Sequence, residues 1–315
     1  MEAISFQHPE DHIIATLSFF SLFDYPLTAE EIQKYCLGCS FDVSTIRRLC
    51  SQHPSIVMQD NLYGLIGKED QFKQRQQQEH IVAKRMQKAR RYGKLLRFIP
   101  FVRGVFLCNN LSFGIATEGG DIDLFIVSDV KHLWLSRFLV TVFFHVLRVR
   151  RHGRKIQNRI CLSFFTTEDH LDLSSILIAP QDMYLAYWVL GLKPIVGWRV
   201  YHRILQENKK WLTKYYNIVN LQSKWEEETA GAQRYECCGR LQRGQEWLWK
   251  TFIGRWGEKK IITFQQRHMQ KTYRQLKDKK GIIISEHMLK FHNEDKRSLY
   301  QREWKETFTY FSHHP

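Results

Sequence analysis

The run Asp121-Ile122-Asp123-Leu124-Phe125-Ile126-Val127 constrains the fold of this chain more than any other stretch. It reads as a buried strand with two carboxylates at its mouth. In a strand, side chains at i and i+2 share a face, so Asp121 and Asp123 point together while Ile122, Leu124 and Ile126 point the other way. Two paired carboxylates at the end of an apolar strand repel each other. A divalent cation between them accounts for the pair, and Mg²⁺ is usually held by one or two carboxylates plus substrate phosphates. The apolar run Val105-Phe106-Leu107 reads as a preceding strand, joined to the first by a polar, Gly-containing loop from Asn109 to Gly120.

The chain around this pair is long enough for two or three domains, at 315 residues. Its 21 Phe, 13 Tyr and 9 Trp supply a substantial core. The net charge of +15 is uneven. Residues 1–66 carry 3 Lys/Arg against 8 Asp/Glu, a net of −5, which leaves 44 against 24, a net of +20, for the rest. The basic part favours a polyanionic partner, nucleic acid or a phosphate-rich ligand, over a merely solvated basic face. Seven cysteines, an odd number, sit partly in apolar runs with no signal peptide before them, which points to a reduced, cytoplasmic compartment. The apolar stretch Leu133 to Val149 is interrupted by Arg137 and His145. Ile176 to Trp198 is broken by Pro180, Asp182 and Pro194. Neither is expected to span a membrane.

Residues 1–67 read as three helices closed by a hairpin, the parts of a winged helix. Asp11 caps the first helix. Thr28-Ala29-Glu30-Glu31 is a capping box for the second, and Asp42 or Ser44 starts the third. The hairpin turns at Asp60-Asn61. The third helix carries only Arg47 and Arg48 in a net acidic module, which argues against DNA binding here. Cys36-x2-Cys39 with Cys50-x2-His53 has a zinc-like spacing, although buried packing thiols give the same pattern. Residues 68–98 read as a long connecting helix with a thin apolar stripe. A helix from about Lys131 to Leu147 is apolar nearly all round and is expected to be well buried. The basic turn Arg148 to Lys155 suits triphosphate or an RNA backbone, or is only an exposed turn. It leads into a third strand, Ile160 to Phe165. Residues 181–223 read as helices around Tyr184, Tyr187 and Trp188. Residues 240–280 are basic, with Trp247, Trp249, Phe252, Trp256, Phe264 and Tyr273 interleaved. That pattern suits nucleic acid, but most of these rings are expected in the core. The tail, Ile282 to Phe311, reads as one short apolar run and a polar helix.

The segment from residue 100 to 165 resembles the nucleotidyltransferase superfamily, the polymerase-beta-like fold. The shared features are a strand, a loop of about a dozen residues, and Asp121-Ile122-Asp123 on the next strand. The wider layout resembles a group of uncharacterised bacterial proteins with an N-terminal winged-helix-like segment, through Phe23-Asp24-Tyr25-Pro26-Leu27-Thr28, Ile99-Pro100-Phe101-Val102-Arg103 and Phe291-His292-Asn293-Glu294-Asp295. The resemblance implies two-metal nucleotidyl transfer, with paired aspartates on Mg²⁺, a Gly-Ser turn on the phosphates and a third carboxylate on a later strand. Two positions depart from that pattern. Asn109 and Asn110 stand where the family has Gly-Ser. The strand Ile160 to Phe165 has no carboxylate, and Ser163 takes its polar slot, with Glu168 and Asp169 just beyond.

The expected architecture is α/β (α+β): a small mixed-sheet nucleotidyltransferase core at 99–173, behind the winged-helix-like module and a connecting helix at 68–98, with a helical basic region at 174–315. The expected activity is Mg²⁺-dependent transfer from a nucleoside triphosphate to an unidentified acceptor. Asp121 and Asp123 would be catalytic and hold metal. Asn109, Asn110, Ser112 and Gly120 would contact nucleotide. The alternatives are a catalytically decayed protein that binds nucleotide or RNA, and a winged-helix regulator of DNA.

Overall fold

The computed structural model describes residues 6–178, 181–216, 235–237, 239–249, 251–274, 281–291 and 295–313. Expectations for 217–223, Cys238 and 292–294, and for the side chains of Phe252 and Tyr273, lie outside what it describes. The chain is a mixed α and β protein.

The N-terminal part runs α1 (Pro9–Ser21), β1 (Leu27–Thr28), α2 (Ala29–Tyr35), α3 (Val43–Gln52), β2 (Ile56–Gln59) and β3 (Leu62–Leu65), and its strands form a small antiparallel sheet in the order β1-β3-β2. Each start has a local cause. Asp11 lies in the first turn of α1 rather than at its cap, and its carboxylate accepts from the backbone N–H groups of Gln7 and His8. Thr28 and Glu31 form the reciprocal capping box of α2. Asp42 caps α3 by accepting from Thr45 N–H at 2.6 Å. Asp60 and Asn61, with φ of 51° and 62°, turn the hairpin, as residues that tolerate left-handed backbone do.

The 24-residue α4 (Asp70–Gly93) leads through a 3-10 turn to the main sheet. That sheet has six strands in the order β7-β4-β5-β6-β9-β8. They are β4 (Val102–Leu107), β5 (Ile122–Ser128), β6 (Ile160–Thr167), β7 (Lys193–Val196), β8 (Ile282–Ile284) and β9 (Met288–Phe291). β5 pairs antiparallel with β4 and parallel with β6. The parallel pair needs a crossover, which α6 (Leu133–Val146) supplies, and a four-residue helix, α5 (Asn110–Phe113), fills the β4–β5 connection. The region after residue 174 is therefore not purely helical. It adds β7, whose Pro194 suits an edge strand, and the β8–β9 hairpin, whose two apolar runs read as one in the sequence.

One face of the sheet carries Phe106, Phe125, Val127 and Phe164 and packs on α7 (Met183–Gly191) and α8 (Trp198–Leu212). The same core continues into Ile13, Leu17 and Phe20 of α1 and Trp304 and Phe308 of the last helix, α11 (Arg297–His313). The other face carries Leu124, Ile126, Ile160 and Phe165 with Ala89 of α4 and Val140 and Phe144 of α6. α6 is less buried than its composition suggests, since Val142 and Val146 are 42% and 72% exposed. Two further helices, α9 (Arg240–Trp249) and α10 (Phe252–Arg274), lie by this second face.

α9 inverts the usual rule. Its buried residues are Gln242 and Glu246, while Leu241, Trp247 and Leu248 are exposed. Gln242 donates to the carbonyls of Ile99 and Val102, and Glu246 accepts from Arg103 at 2.7 Å and from Phe101 N–H at 2.8 Å. The helix is thus anchored by polar bonds, which leaves its aromatic face outward.

Candidate functional site

The site forms where β5 begins. Ile122 pairs with Ile160 and Asp123 with Cys161, but Phe125 pairs with Phe164, so β6 has one extra residue opposite β5. This bulge sets Cys161 beside the aspartates and still brings Phe164 to the face of Phe125, a re-aiming that bulges commonly perform. Ligand atoms of Asp121, Asp123 and Cys161 all lie within 4.8 Å of one another. The polar slot beside the pair is therefore held by Cys161, not Ser163. The register with β5 decides this, since Cys161 and Ser163 share a face by alternation.

Glu168 and Asp169 lie beyond the far end of β6, about 20 Å along the strand from Cys161. Glu168 faces Arg103 at 3.9 Å and Arg203 at 4.0 Å. Neither carboxylate reaches the aspartate pair.

Asn109 links the pair to the rest of the site. Its backbone sits at φ 57°, ψ −157°, a region used almost only by glycine, where another residue stores about 1–3 kcal/mol of strain. Its Oδ1 accepts from Trp188 Nε1 at 2.7 Å. Because an indole nitrogen can only donate, this bond turns the amide nitrogen toward Asp123, to which Asn109 is hydrogen-bonded. Burial and the neighbouring Asp121 charge raise the Asp123 carboxyl to about 6, against hydrogen bonds from Asn109 and Cys161 that hold it down. Burial and the two aspartates push the Cys161 thiol well up, so it stands as a neutral thiol.

The other expected nucleotide contacts divide. Asn110 is exposed at the start of α5. Ser112 is fully buried and its hydroxyl donates to Asn109 O at 2.7 Å, so it braces the turn instead of facing a ligand. Gly120 shapes the loop: its N–H donates to Thr117 O and its carbonyl accepts from Asn158 N–H.

Two arginines complete the site, Arg151 of the basic turn and Arg85, which sequence reasoning did not single out. Arg151, from the basic turn, places Nη1 2.6 Å from Asp121 Oδ2 and 3.9 Å from Cys161 Sγ. Its guanidinium meets the carboxylate pair where a cation would be drawn. Arg85 of α4 is only 2% exposed, and it donates to Thr117 O, Glu118 O and Asn158 Oδ1, each at 2.6 Å. It ties the loop before Asp121 to the strand entry at 158. Arg85 lies in the stretch that reads in the sequence only as a long connecting helix with a thin apolar stripe. Lys88, bonded to Asn158 O, and Arg159, bonded to Arg148 O, add to a cationic rim.

On the other side of Asn109 a cavity of about 150 Å³ is walled by Phe164, Tyr184, Trp188 and Tyr300, with Lys290 and Arg297 at its edge. Those two cations pair with Asp295 at 3.5 and 2.7 Å, and Arg297 also pairs with Asp182 at 2.7 Å. Burial opposes ionisation of Asp295, but the two cations hold it down at about 2.

The cysteine pattern of the N-terminal part does not assemble as its spacing suggests. Cys36 and Cys39 bring their sulfurs to 3.8 Å, Cys50 is buried, and His53 instead accepts from Ser55 N–H. No three of these four place ligand atoms within 4.8 Å of one another among the described residues. The Cys36 hydrogen bond and His12 hold the Cys39 thiol down at about 6 despite its burial, whereas burial pushes Cys50 up to about 12. Iodoacetamide at pH 7 should therefore label Cys39 well before Cys36 or Cys50. Peptide mass mapping over a time course checks this, and labelling of all three at one rate contradicts it.

No helix among the described residues is long and apolar enough to cross a membrane. No protein-family model matches the chain, and no curated protein or solved structure matches it either.

Proposed function

We propose that this chain is a metal-dependent nucleotidyltransferase that works at the mouth of β5. The observation that carries the reading is the carboxylate pair, Asp121 and Asp123, held within ligand distance beside a glycine-like turn at Asn109 and a cationic rim. The order β4-α5-β5-α6-β6, with β5 antiparallel to β4 and parallel to β6, supports the resemblance stated above. The N-terminal element order likewise supports a winged-helix-like module.

The residues fit one Mg²⁺ ion. Two carboxylates plus ligand phosphates are its ordinary complement, and a neutral thiol adds nothing to a hard cation. The ion would polarise the phosphoryl group and neutralise developing charge. The chain's own residues do the rest. Asn109 orients Asp123 through Trp188. Arg85 holds the 117–120 loop. Arg151 neutralises Asp121 and is placed to pass to a phosphate. The aromatic cavity offers stacking surface to a nucleobase.

Calorimetric titration of ATP, GTP, CTP and UTP with and without Mg²⁺ tests this. Binding that requires Mg²⁺ and disappears in the Asp121→Asn/Asp123→Asn variant is expected. Absence of binding by all four nucleotides overturns the reading. Arg151→Ala separates the two parts assigned to that side chain. Mg²⁺ alone should bind several-fold more tightly, because the competing guanidinium is gone, while the Mg²⁺–nucleotide complex should bind about tenfold more weakly for want of a phosphate contact.

A second reading, RNA binding without turnover, draws on α9 and α10. The acids Glu246 and Glu258 turn inward to Arg103 and His132. Arg240, Arg243, Lys259, Lys260 and Arg267 stay exposed with Trp247, Trp256 and Phe264, rings expected in the core. Such binding would survive Asp121→Asn and fall steeply with salt. A DNA regulator is the weakest reading, since Arg47 is paired with Glu30 at 3.2 Å and Arg48 with Gln52 at 3.3 Å.

A further inference from the structure

Beyond the far end of β6, two histidines 117 residues apart meet one carboxylate. His170 follows the strand, His287 sits in the β8–β9 turn, and their rings stack with centroids 3.7 Å apart and planes 14° apart. Asp169 Oδ1 is 3.1 Å from His170 Nδ1 and 4.0 Å from His287 Nδ1. The ligand atoms of all three residues lie within 4.8 Å of one another. His287 Nδ1 is shielded from solvent and has no hydrogen-bond partner. A ring nitrogen left so beside a second imidazole and an anion is poorly served by protein alone.

We infer that Asp169, His170 and His287 form a binding site for a divalent transition ion of the zinc type, separate from the Asp121/Asp123 site. Two imidazoles and a carboxylate are a common zinc set, leaving a fourth place for water. With zinc–ligand bonds of about 2.0–2.2 Å, tetrahedral ligand atoms stand about 3.4 Å apart, and the observed 3.1 and 4.0 Å bracket that spacing. Imidazole selects such an ion over Mg²⁺, which prefers oxygen throughout. The backbone that carries both histidines is also held in advance, and one ring turns out of the stack for both in-plane nitrogen lone pairs to meet one ion. Thr167 N–H donates to His287 O at 3.0 Å, and Thr166 Oγ1 lies 2.9 Å from His170 O and 3.1 Å from His287 O. The neighbouring Glu168 is engaged elsewhere, with Arg103 and Arg203, and does not compete for the ion. An ion here clips the β8–β9 hairpin to the end of β6.

The test is a Co²⁺ titration of the chelator-treated full chain, followed by visible absorption, with Zn²⁺ displacement. One equivalent of Co²⁺ with a ligand-field spectrum and no thiolate charge-transfer band is expected. His170→Ala and His287→Ala should each weaken it by at least about tenfold, while Asp121→Asn/Asp123→Asn leaves it unchanged. His170 and Asp169 are exposed, so circular dichroism of His170→Ala and Asp169→Asn should match wild type and exclude misfolding as the cause of any loss. Absence of stoichiometric binding overturns the assignment. So does affinity unchanged in both histidine variants, or a thiolate band abolished by Cys39→Ser.

Discussion

Asp123→Asn should raise the thermal stability of the protein while removing its Mg²⁺ and nucleotide binding. The carboxyl of Asp123 is raised from 3.8 to about 6 by burial and by Asp121. A group whose folded pKa is raised binds its proton more tightly when folded, so stability falls as pH rises from about 4 to about 6. Above that window the full cost is present. Two units correspond to about 3 kcal/mol at most, and sharing with Asp121 reduces it, so about 1–3 kcal/mol is expected. Asparagine keeps an acceptor for the Asn109 amide and drops the charge. At pH 7.5 without divalent cation the variant should melt about 2–6 °C above wild type. At pH 5, where wild type is largely protonated at this position, the gap should shrink. Added Mg²⁺ should shrink it as well, because only wild type gains from the ion. Scanning fluorimetry at both pH values checks this. A variant that melts below wild type at pH 7.5 refutes the idea that the pair is a strained, ligand-demanding feature.

Arg85→Ala should do the reverse, lowering stability and weakening nucleotide binding together. Its buried guanidinium serves two carbonyls and one amide oxygen. Leaving them unserved should cost about 2–4 kcal/mol. The loop 117–120 leads directly into Asp121, so its amides should lose hydrogen-exchange protection and nucleotide affinity should fall by about tenfold or more. Arg85→Lys restores charge without the planar fork and should recover little of either effect. If lysine rescues both, the role is one of charge and not of geometry.

The parts of this fold legible in the sequence are those whose causes are local. A capping box at Thr28 and Glu31, a turn at Asp60-Asn61 and alternation around Asp121 and Asp123 need only a few neighbouring residues, and each stands where its pattern places it. What escaped depends on partners far along the chain. The bulge in β6 is settled by pairing with β5, and alternation, which puts Cys161 and Ser163 on one face, cannot tell which of them stands beside the pair. Arg85 looks like one more solvated charge of α4 until the 117–120 loop closes over it. The exposure of Trp247, Trp256 and Phe264 goes with inward-turned Glu246 and Glu258, whose partners Arg103 and His132 lie more than 100 residues earlier. β7, β8 and β9 are three or four residues each, too short for a period to show, and they exist because β4 and β6 have open edges to pair with.

The meeting of α1 and α11 has a consequence for how the protein is made. Trp304 Nε1 donates to Ala15 O across 289 residues, and the two helices share one core. A ribosome adding about 5–20 residues per second spends about 15–60 s between them. For that interval Ile13, Leu17 and Phe20 are on a nascent chain whose final cover does not yet exist. The nascent chain therefore carries these apolar residues without their final cover until α11 leaves the ribosome.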